Sequence, residues 1–461
     1  MSVKFRLTLM SFLQFFVWGA WLITIANYWF GTKQWDGTQF GAIFATMGFA
    51  SLVMPTLTGI IADKWVNAEV LYGMLHILYA AVLFYLPEVN SPNAFFWAML
   101  LAMCFYMPTI SLSNSISYTT LKLGQLDIIK NFPPIRVWGT IGFIVAMWTT
   151  NLSGNKASPY QFYIAGIAAF TLGVYAFTLP KCRPQKLIDE RRSFAQTLGL
   201  EAFKLFANYK MALFFIFSMF LGAALQLTNA YGDVFLDEFK LFPVYANSFV
   251  IRYSTIIMSI SQVSETLFIL AIPFFLKRFG IKNVILIAML AWVLRFGFFA
   301  FGDPTGNLWM IIMSCIVYGM AFDFFNVSGS LFVETATSPK TRSSAQGMFM
   351  MMTNGFGAVF GSLVSGWMID KYFTKSYYDI QSLAIFTNSD TNNKHLLEFL
   401  TNKGINVLEN GSLSRALDVK DWHSIWLSFT IYALIITLAF AVMFKHKHNR
   451  VEAEVIKAMG H

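Results

Sequence analysis

The sequence has few charged residues, few cysteines and few histidines. Of its 461 residues, 12% are Asp, Glu, Lys or Arg, whereas a soluble domain averages about 25%. The three cysteines, Cys104, Cys182 and Cys315, are scattered, so the chain has neither a disulfide framework nor a metal-binding spacing. The six histidines form no catalytic arrangement. These shortages argue against a soluble domain and against a membrane enzyme, and they predict a protein that uses no metal and no cofactor.

Apolar residues fill most of the chain. They make up 56% of it, with phenylalanine at 49 positions, and the mean hydropathy is +0.56. Runs long enough to cross a bilayer recur from end to end, and they do not alternate as barrel strands do. We therefore predict an all-α polytopic membrane protein with twelve transmembrane helices. The predicted spans are about 6–30, 37–61, 68–87, 94–121, 133–152, 160–180, 210–236, 248–276, 282–302, 307–333, 343–370 and 423–444.

A charged stretch between the sixth and seventh spans divides the chain. We predict an N-terminal six-helix bundle at 1–180, a central loop at 181–209 and a C-terminal six-helix bundle at 210–461. Six spans on either side of a charged loop suggest two bundles that face each other across a cavity. A polar segment at about 372–421 interrupts the second bundle, and we expect it to be a surface excursion of modest order with no domain of its own.

Lysines and arginines predict the orientation of the chain. Most of those outside the spans fall in loops on the side of the two termini. This distribution predicts that both termini and the central loop are cytoplasmic. It also explains the net charge of +9 without nucleic acid as a partner.

One stretch places an arginine inside a span. The sequence FPPIRVWGTIGF contains Arg136, Thr140 and Phe143 at i, i+4 and i+7, which puts the three side chains on one helix face. A guanidinium above an aromatic ring can bind a polar ligand while the ring stacks on the flat side of that ligand. The alternative is an arginine that snorkels to the membrane surface.

Three further spans carry polar pairs at i, i+3, and each pair shares one helix face. For the amides the alternative role is to join helices, and for the acids it is to pair with a buried arginine such as Arg295. Polar groups in lipid are costly and are functional by default, and this inventory suits a neutral, flat-ringed solute with many hydrogen-bonding groups. The side chains are Gln226 and Asn229, Gln262 and Glu265, and Asp323 and Asn326, with Phe322 adjacent.

Two of these side chains are carboxyl groups, which suggests coupling to an ion. A carboxyl group in a mostly uncharged cavity can bind and release a proton during a transport cycle. The first choice for the proton carrier is Asp323, because phenylalanines flank it, and the second is Glu265. A sodium site would need several oxygen ligands around unwound helix, and no such pattern is evident.

Several sequence blocks resemble the bacterial nucleoside:proton symporters of the major facilitator superfamily. These blocks are SFLQFFVWGAWL, GIIADKW, FPPIRVWGTIGFI, FFIFSMFLGAALQLTN, TIIMSISQVSETLFILAIPFF, GIKNV, VYGMAFDFFNVSGSLFVE and SAQGMFMMMTNGFG. The resemblance implies a major facilitator fold that imports nucleosides with protons by alternating access. It also implies that nine residues line the nucleoside cavity. These are Arg136, Thr140, Phe143, Gln226, Asn229, Gln262, Glu265, Phe322 and Asp323.

The resemblance further implies a monomer in the cytoplasmic (inner) membrane of a bacterium, with nucleosides as substrate and the bilayer as partner. The arginine block is also similar to that of galactoside:proton symporters, so a sugar symporter remains an alternative. A non-transporting nucleoside receptor is another. We expect the chain to depart from the family pattern in one place, an enlarged outer segment at 372–421.

Overall fold

The structure is a computed structural model that describes residues 2–126, 128–184, 200–337 and 342–446. Most of the predicted central loop and the tail after residue 446 lie outside the described residues. The described part is predominantly helical, as the composition predicts.

Six helices form the N-terminal half. The first of them ends at Gly19 and is followed by turns and a π-helical segment before the chain reverses. The fifth helix begins at Ile128, about five residues before the predicted span. The elements are α1 Val3–Gly19, the π-helix Asn27–Lys33, α2 Gly37–Lys64, α3 Ala68–Tyr85, the 3₁₀ turn Leu86–Glu88, α4 Pro92–Leu123, α5 Ile128–Leu152 and α6 Tyr160–Ala176.

The C-terminal half contains the remaining helices and two strands. Short 3₁₀ turns occur at Leu200–Ala207, Phe239–Leu241 and Pro243–Tyr245. The other elements are α7 Tyr209–Glu238, α8 Phe249–Arg252, α9 Ser254–Phe301, α10 Leu308–Ala336, α11 Arg342–Met350, the π-helix Met351–Gly357, α12 Ala358–Phe373, β1 Thr374–Asp379, α13 Ile380–Phe386, α14 Lys394–Asn402, β2 Ser412–Lys420 and α15 Trp422–Met443.

The long helix α9 is two antiparallel helices joined at Gly280. This glycine has φ 73° and ψ 168°, a left-handed conformation that L side chains rarely adopt. The Arg295 guanidinium donates to Ser261 Oγ at 3.3 Å, although a straight helix would hold these residues about 50 Å apart at 1.5 Å per residue. The chain therefore folds back at Gly280, and α9 supplies the predicted eighth and ninth spans.

Eight helices among the described residues are long and apolar enough to cross a membrane, with α9 counted once. A shorter apolar helix, α6, has 17 residues. A polytopic helical membrane protein is thus confirmed, while the count of twelve spans stays a prediction.

The polar segment before α15 is more ordered than we expected. Strands β1 and β2 pair antiparallel, with Thr374 opposite Lys420 and Tyr377 opposite Leu417. Beneath them lies a separate apolar core that includes Leu383, Leu396 and Leu400. The expectation of modest order is therefore wrong: the apolar periodicity of α14 is the inner face of a small, packed unit.

The two halves pack together at one end of the bundle, which we call the sheet end because it carries β1 and β2. A Cβ atom added to Gly48 of α2 would lie 2.7 Å from Val359 Cγ2 and 2.8 Å from Gly355 O. At the other end, the far end, a Cβ atom on Gly59 of α2 or on Gly347 of α11 would meet no atom within 4 Å. The structure is closed at the sheet end, and no comparable packing surrounds Gly59 or Gly347 at the far end.

Polar side chains join the halves at the sheet end. Asn27 donates to Asp233, and Lys156 forms an ion pair with Asp237. Lys156 also donates to Ser254 Oγ at 2.7 Å. Burial lowers the pKa of Lys156, but the carboxylates of Asp237 and Asp233 outweigh that effect and raise the pKa, so this lysine stays charged in its closed position.

Candidate functional site

Arg136 on α5 points into the bundle. Its guanidinium carbon lies 4.0 Å from the centroid of the Phe15 ring of α1, a cation–π arrangement. Gly139 leaves room for this contact, since a Cβ atom there would lie 2.7 Å from the Phe15 ring and 2.8 Å from an Arg136 amine. The guanidinium also interacts electrostatically with Glu265 and Asp323 of the other half. This position does not fit an arginine that snorkels to the membrane surface.

Phe143 lies two turns along α5 from Arg136 and is held in place by α1. The Trp18 ring meets the Phe143 ring edge-on, with centroids 6.3 Å apart and an interplanar angle of 89°. The two helices approach closely at Gly142, where a Cβ atom would clash with the Phe12 backbone. Phe143 is 8% exposed, and Thr140 between it and Arg136 is half-buried. The predicted face of α5 is therefore a real inward face.

The two carboxyl groups come from different helices and lie near each other. Glu265 belongs to the first part of α9 and is half-buried, and Asp323 belongs to α10 and is 5% exposed. The two groups interact electrostatically with each other and with Arg136. Two carboxyl groups and one guanidinium thus lie within electrostatic reach of one another, and the charge state of each depends on the others.

Three buried acceptor atoms of the predicted site have no hydrogen-bond partner among the described residues. They are Gln226 Oε1, Gln262 Oε1 and Asp323 Oδ2. Buried polar atoms in proteins are usually paired, so these three form an acceptor set suited to the N–H and O–H groups of a ligand. All three come from the C-terminal half.

Asn229 lies on α7 one turn from Gln226 and is half-buried. Helices α7 and α10 meet at a small cavity that is lined by Gly222, Leu225, Phe322 and Asn326, among others. The predicted ring Phe322 therefore faces α7, whose next turn carries the amide pair.

Phe322 is the end of a stack that the sequence did not reveal. The Tyr318 ring lies parallel to the Phe322 ring, with centroids 5.8 Å apart and an interplanar angle of 2°. On Tyr318 packs the guanidinium of Arg295, 4.5 Å from the ring centroid. Arg295 also donates to Ser314 O at 2.8 Å. The prediction that Arg295 pairs with an acid finds no support in these contacts, because rings, a hydroxyl and a carbonyl surround it.

Sequence reasoning also missed the residues behind Arg136. The sequence pattern alone identifies neither Phe15 nor Trp18 as a support of the site. Tyr106 of α4 is buried, donates to Gln14 O at 2.9 Å and interacts electrostatically with Arg136. The i, i+3 spacing of Phe15 and Trp18 indicates that both rings lie on one face of α1. It does not indicate that this face packs against α5.

The chain matches known proteins along nearly its whole length. A family described as nucleoside H⁺ symporter matches residues 1–397. The nucleoside permease NupG of Escherichia coli is 46% identical over 453 residues, which cover 98% of each chain. The xanthosine permease of E. coli is 46% identical over 450 residues, which cover 97% of each chain.

A solved structure agrees. The crystal structure of the nucleoside transporter NupG matches with a TM-score of 0.81 at 45% identity, covering 97% of this chain and all of that one. The enlargement of the outer segment at 372–421 stays a prediction.

Proposed function

The chain belongs to the nucleoside H⁺ symporter family, and we propose that it carries nucleosides together with protons across the cytoplasmic membrane of a bacterium. The observation that carries this proposal is the electrostatic interaction of Arg136 with Glu265 and Asp323, where Asp323 Oδ2 is one of three buried acceptors without a partner among the described residues. A cation from one half and acceptors from the other can bind a solute only when both halves contribute.

The proposed site matches the chemistry of a nucleoside. Ribose hydroxyls and base N–H groups donate hydrogen bonds, which Gln226, Gln262 and Asp323 can accept. Base carbonyls accept hydrogen bonds, which the planar fork of Arg136 and the side-chain amides can donate. Flat rings stack on flat rings, and we assign that task to Phe143 and Phe322. Thr140, Asn229 and Glu265 complete the set of proposed contacts.

We propose that the sheet end faces outward and that both termini are cytoplasmic, as the loop charges predict. Because the two halves pack together at the sheet end, we assign the structure to the inward-facing state. Alternating access requires the two halves to rock about the central site. Each protomer holds a complete set of these groups, so we propose a monomer as the transporting unit.

Coupling to protons requires a group that is charged in one step and neutral in another. Asp323 is our first choice, because it is buried, one of its oxygens lacks a partner among the described residues, and its neighbours include the buried Phe324 and Phe325. Glu265 is the second choice. When the halves separate around the substrate, the two acids and Arg136 change their distances, and the affinity for a proton changes with them.

Arg295 acts, in this proposal, as a positioning residue for the base-binding wall. Its guanidinium fixes the Tyr318 ring at 4.5 Å, and Tyr318 in turn stacks on Phe322. A buried cation is costly, which favours a functional reason for keeping one at this place.

Competition of labelled uridine uptake tests the proposal. Cells that express the chain are given a panel of unlabelled nucleosides, free bases and sugars. We expect nucleosides to compete and uracil, ribose and galactosides to compete at least about tenfold less well, since each alone leaves part of the donor and acceptor set unpaired. Stronger competition by a galactoside would favour the sugar symporter, and binding without uptake would favour a receptor.

A further inference from the structure

The N-terminus of α2 is capped by a residue of the other half. Asp370, near the end of α12, accepts from Gly37 N at 2.9 Å through Oδ1 and from Thr38 N at 2.6 Å through Oδ2. The Thr38 hydroxyl also donates to Oδ2 at 2.8 Å. The first N–H groups of a helix have no partner within the helix, and here Asp370 satisfies two of them from 333 residues away.

The residue that would normally perform this task is present and does not perform it. Asp36 occupies the N-cap position of α2 in an extended conformation (φ −70°, ψ 154°), yet its side chain makes no capping hydrogen bond. Aspartate with this backbone geometry is among the preferred N-caps. Removal of surrounding water, together with the carboxylates of Asp370 and Asp418, raises the pKa of Asp36, as expected for two acids beside one helix end.

Gly37 makes room for the distant cap. A Cβ atom on Gly37 would lie 2.5 Å from Asp370 Oδ1 and 3.1 Å from its carboxyl carbon. A side chain here would therefore displace the Asp370 carboxylate, and we expect it to leave the side chain of Asp36, the preceding residue, able to cap the helix. Gly37 has no left-handed φ in this structure, so helical geometry alone does not require a glycine.

We propose that Asp36 and Asp370 exchange the N-terminus of α2 during transport. When the sheet end is closed, Asp370 caps α2 across the two halves and holds them together. When the sheet end opens, Asp370 withdraws with α12, and Asp36 takes its place by rotating its side chain. The helix end is satisfied in both states, so opening does not leave α2 uncapped. This inference rests on the proposed alternating access but on no feature of the substrate site.

The exchange predicts opposite effects for the two aspartates. Loss of Asp370 removes a cap that exists only in the closed state, so it should favour opening. Loss of Asp36 removes the cap of the open state, so it should favour closure. Gly37→Ala should act as Asp370→Ala does, because it blocks the distant cap and spares the local one.

A reporter cysteine in the closed interface measures the opening. Ser362 is 2% exposed, faces Gly41 of α2, and its hydroxyl has no partner among the described residues, so Ser362→Cys is a mild change. The full-length chain carries this reporter with Cys104, Cys182 and Cys315 replaced by serine. A membrane-impermeant maleimide is applied to right-side-out and to inside-out vesicles, without nucleoside, and the rate of labelling is recorded.

We expect Asp370→Ala and Gly37→Ala to accelerate labelling about fivefold, the factor that corresponds to one N-cap of about 1 kcal/mol. Asp36→Ala should slow labelling, and adding it to Asp370→Ala should reverse part of the gain. Asp379→Ala is the matched control, because Asp379 caps α13 within its own segment by accepting from Ser382 N at 2.7 Å, and it should leave the rate unchanged.

The exchange is refuted if Asp36→Ala accelerates labelling as Asp370→Ala does, or if the double variant is labelled faster than Asp370→Ala alone. An equal acceleration by Asp379→Ala would likewise refute it, since any lost cap would then loosen the interface. If the variants show the expected order of labelling rates in inside-out vesicles and not in right-side-out ones, the exchange is supported and the proposed orientation is reversed. Failure of uridine uptake does not change this readout, so the two proposals fail separately.

Discussion

The two halves contribute unlike chemistry to the proposed site. The N-terminal half offers a cation on an aromatic support, with Arg136 above Phe15 and Phe143 against Trp18. The C-terminal half offers acceptors, which are the two acids and the buried oxygens of Gln226 and Gln262. At the proposed site, the donor fork of Arg136 comes from one half and these acceptors come from the other.

This difference indicates why occupancy and conformation can be linked. A substrate that bridges a donor half and an acceptor half favours the states in which both are within reach. The same separation of charge means that rocking of the halves changes the distance between Arg136 and the acids. The proton affinity of the acids then depends on conformation, which is what symport requires. The predictions below remove one side of this comparison at a time.

The largest effect is expected on the donor side. Arg136→Ala should weaken uridine binding about tenfold to a hundredfold, the range for a lost hydrogen bond to a charged group. Arg136→Lys should be nearly as damaging, because lysine keeps the charge but lacks the planar fork. Binding to purified protein measures this, and Arg252→Lys, at an exposed position, is the control. Full affinity in Arg136→Lys would leave only the charge as the role of this residue.

The acceptor side should separate binding from coupling. Asp323→Asn resembles the protonated acid, so it should still bind uridine and support counterflow, while losing accumulation against a gradient. Glu265→Gln is compared with it, and we expect a larger loss of binding and a smaller loss of coupling, since Gln262 beside it points to ligand contact. Normal accumulation by Asp323→Asn under an imposed pH gradient would transfer the coupling role to Glu265.

A smaller effect is expected for Arg295, which supports the Phe322 ring in the C-terminal half. Arg295→Met should raise the KM for uridine about three- to tenfold, the range for one buried cation–π contact, because Tyr318 loses its support and Phe322 follows. Tyr318→Phe keeps the ring and should change KM less. The ratio of the KM effect to the effect on maximal rate is the readout. If Arg295→Met lowers only the amount of folded protein and leaves KM unchanged, Arg295 is structural.

The smallest effect on transport is expected for a residue that lies outside both the donor and the acceptor groups of the site. Leu400 lies in the separate core of the segment between β1 and β2 and is fully buried. Leu400→Ala should destabilise that core by about 2–5 kcal/mol, which protease sensitivity of the segment reports. The affinity for uridine should stay within about twofold, since no predicted site residue belongs to this core. A large loss of affinity would make the segment part of the binding site.

Local spacing predicted the inward faces of helices well. Arg136, Thr140 and Phe143 share a face because a helix has about 3.6 residues per turn, and the structure turns that face toward α1 and the other half. Spacing along one helix could not predict which residues of other helices contact these side chains. Phe15 lies 121 positions before Arg136, and only the packing of α1 on α5 brings the two together.

Long-range polar contacts were the other limit. An aspartate directly before a helix looks like the cap of that helix, yet Asp370 caps α2 while Asp36 does not. In the same way, Asp233 and Asp237 each bind a residue of the other half of the chain, Asn27 and Lys156 respectively. The small core under β1 and β2 was missed because its apolar residues are dispersed over several short elements, and the short period of α14 does not show what packs against it.

Proton movement that accompanies uridine tests the coupled account most directly. Uridine is added to a lightly buffered, energy-depleted suspension of cells that express the chain, and the external pH is recorded. The account predicts a prompt rise in external pH with the wild-type chain, no rise with Asp323→Asn although uridine still binds, and no sustained rise when a protonophore is present. Uridine entry by the wild-type chain without any change in external pH would contradict it.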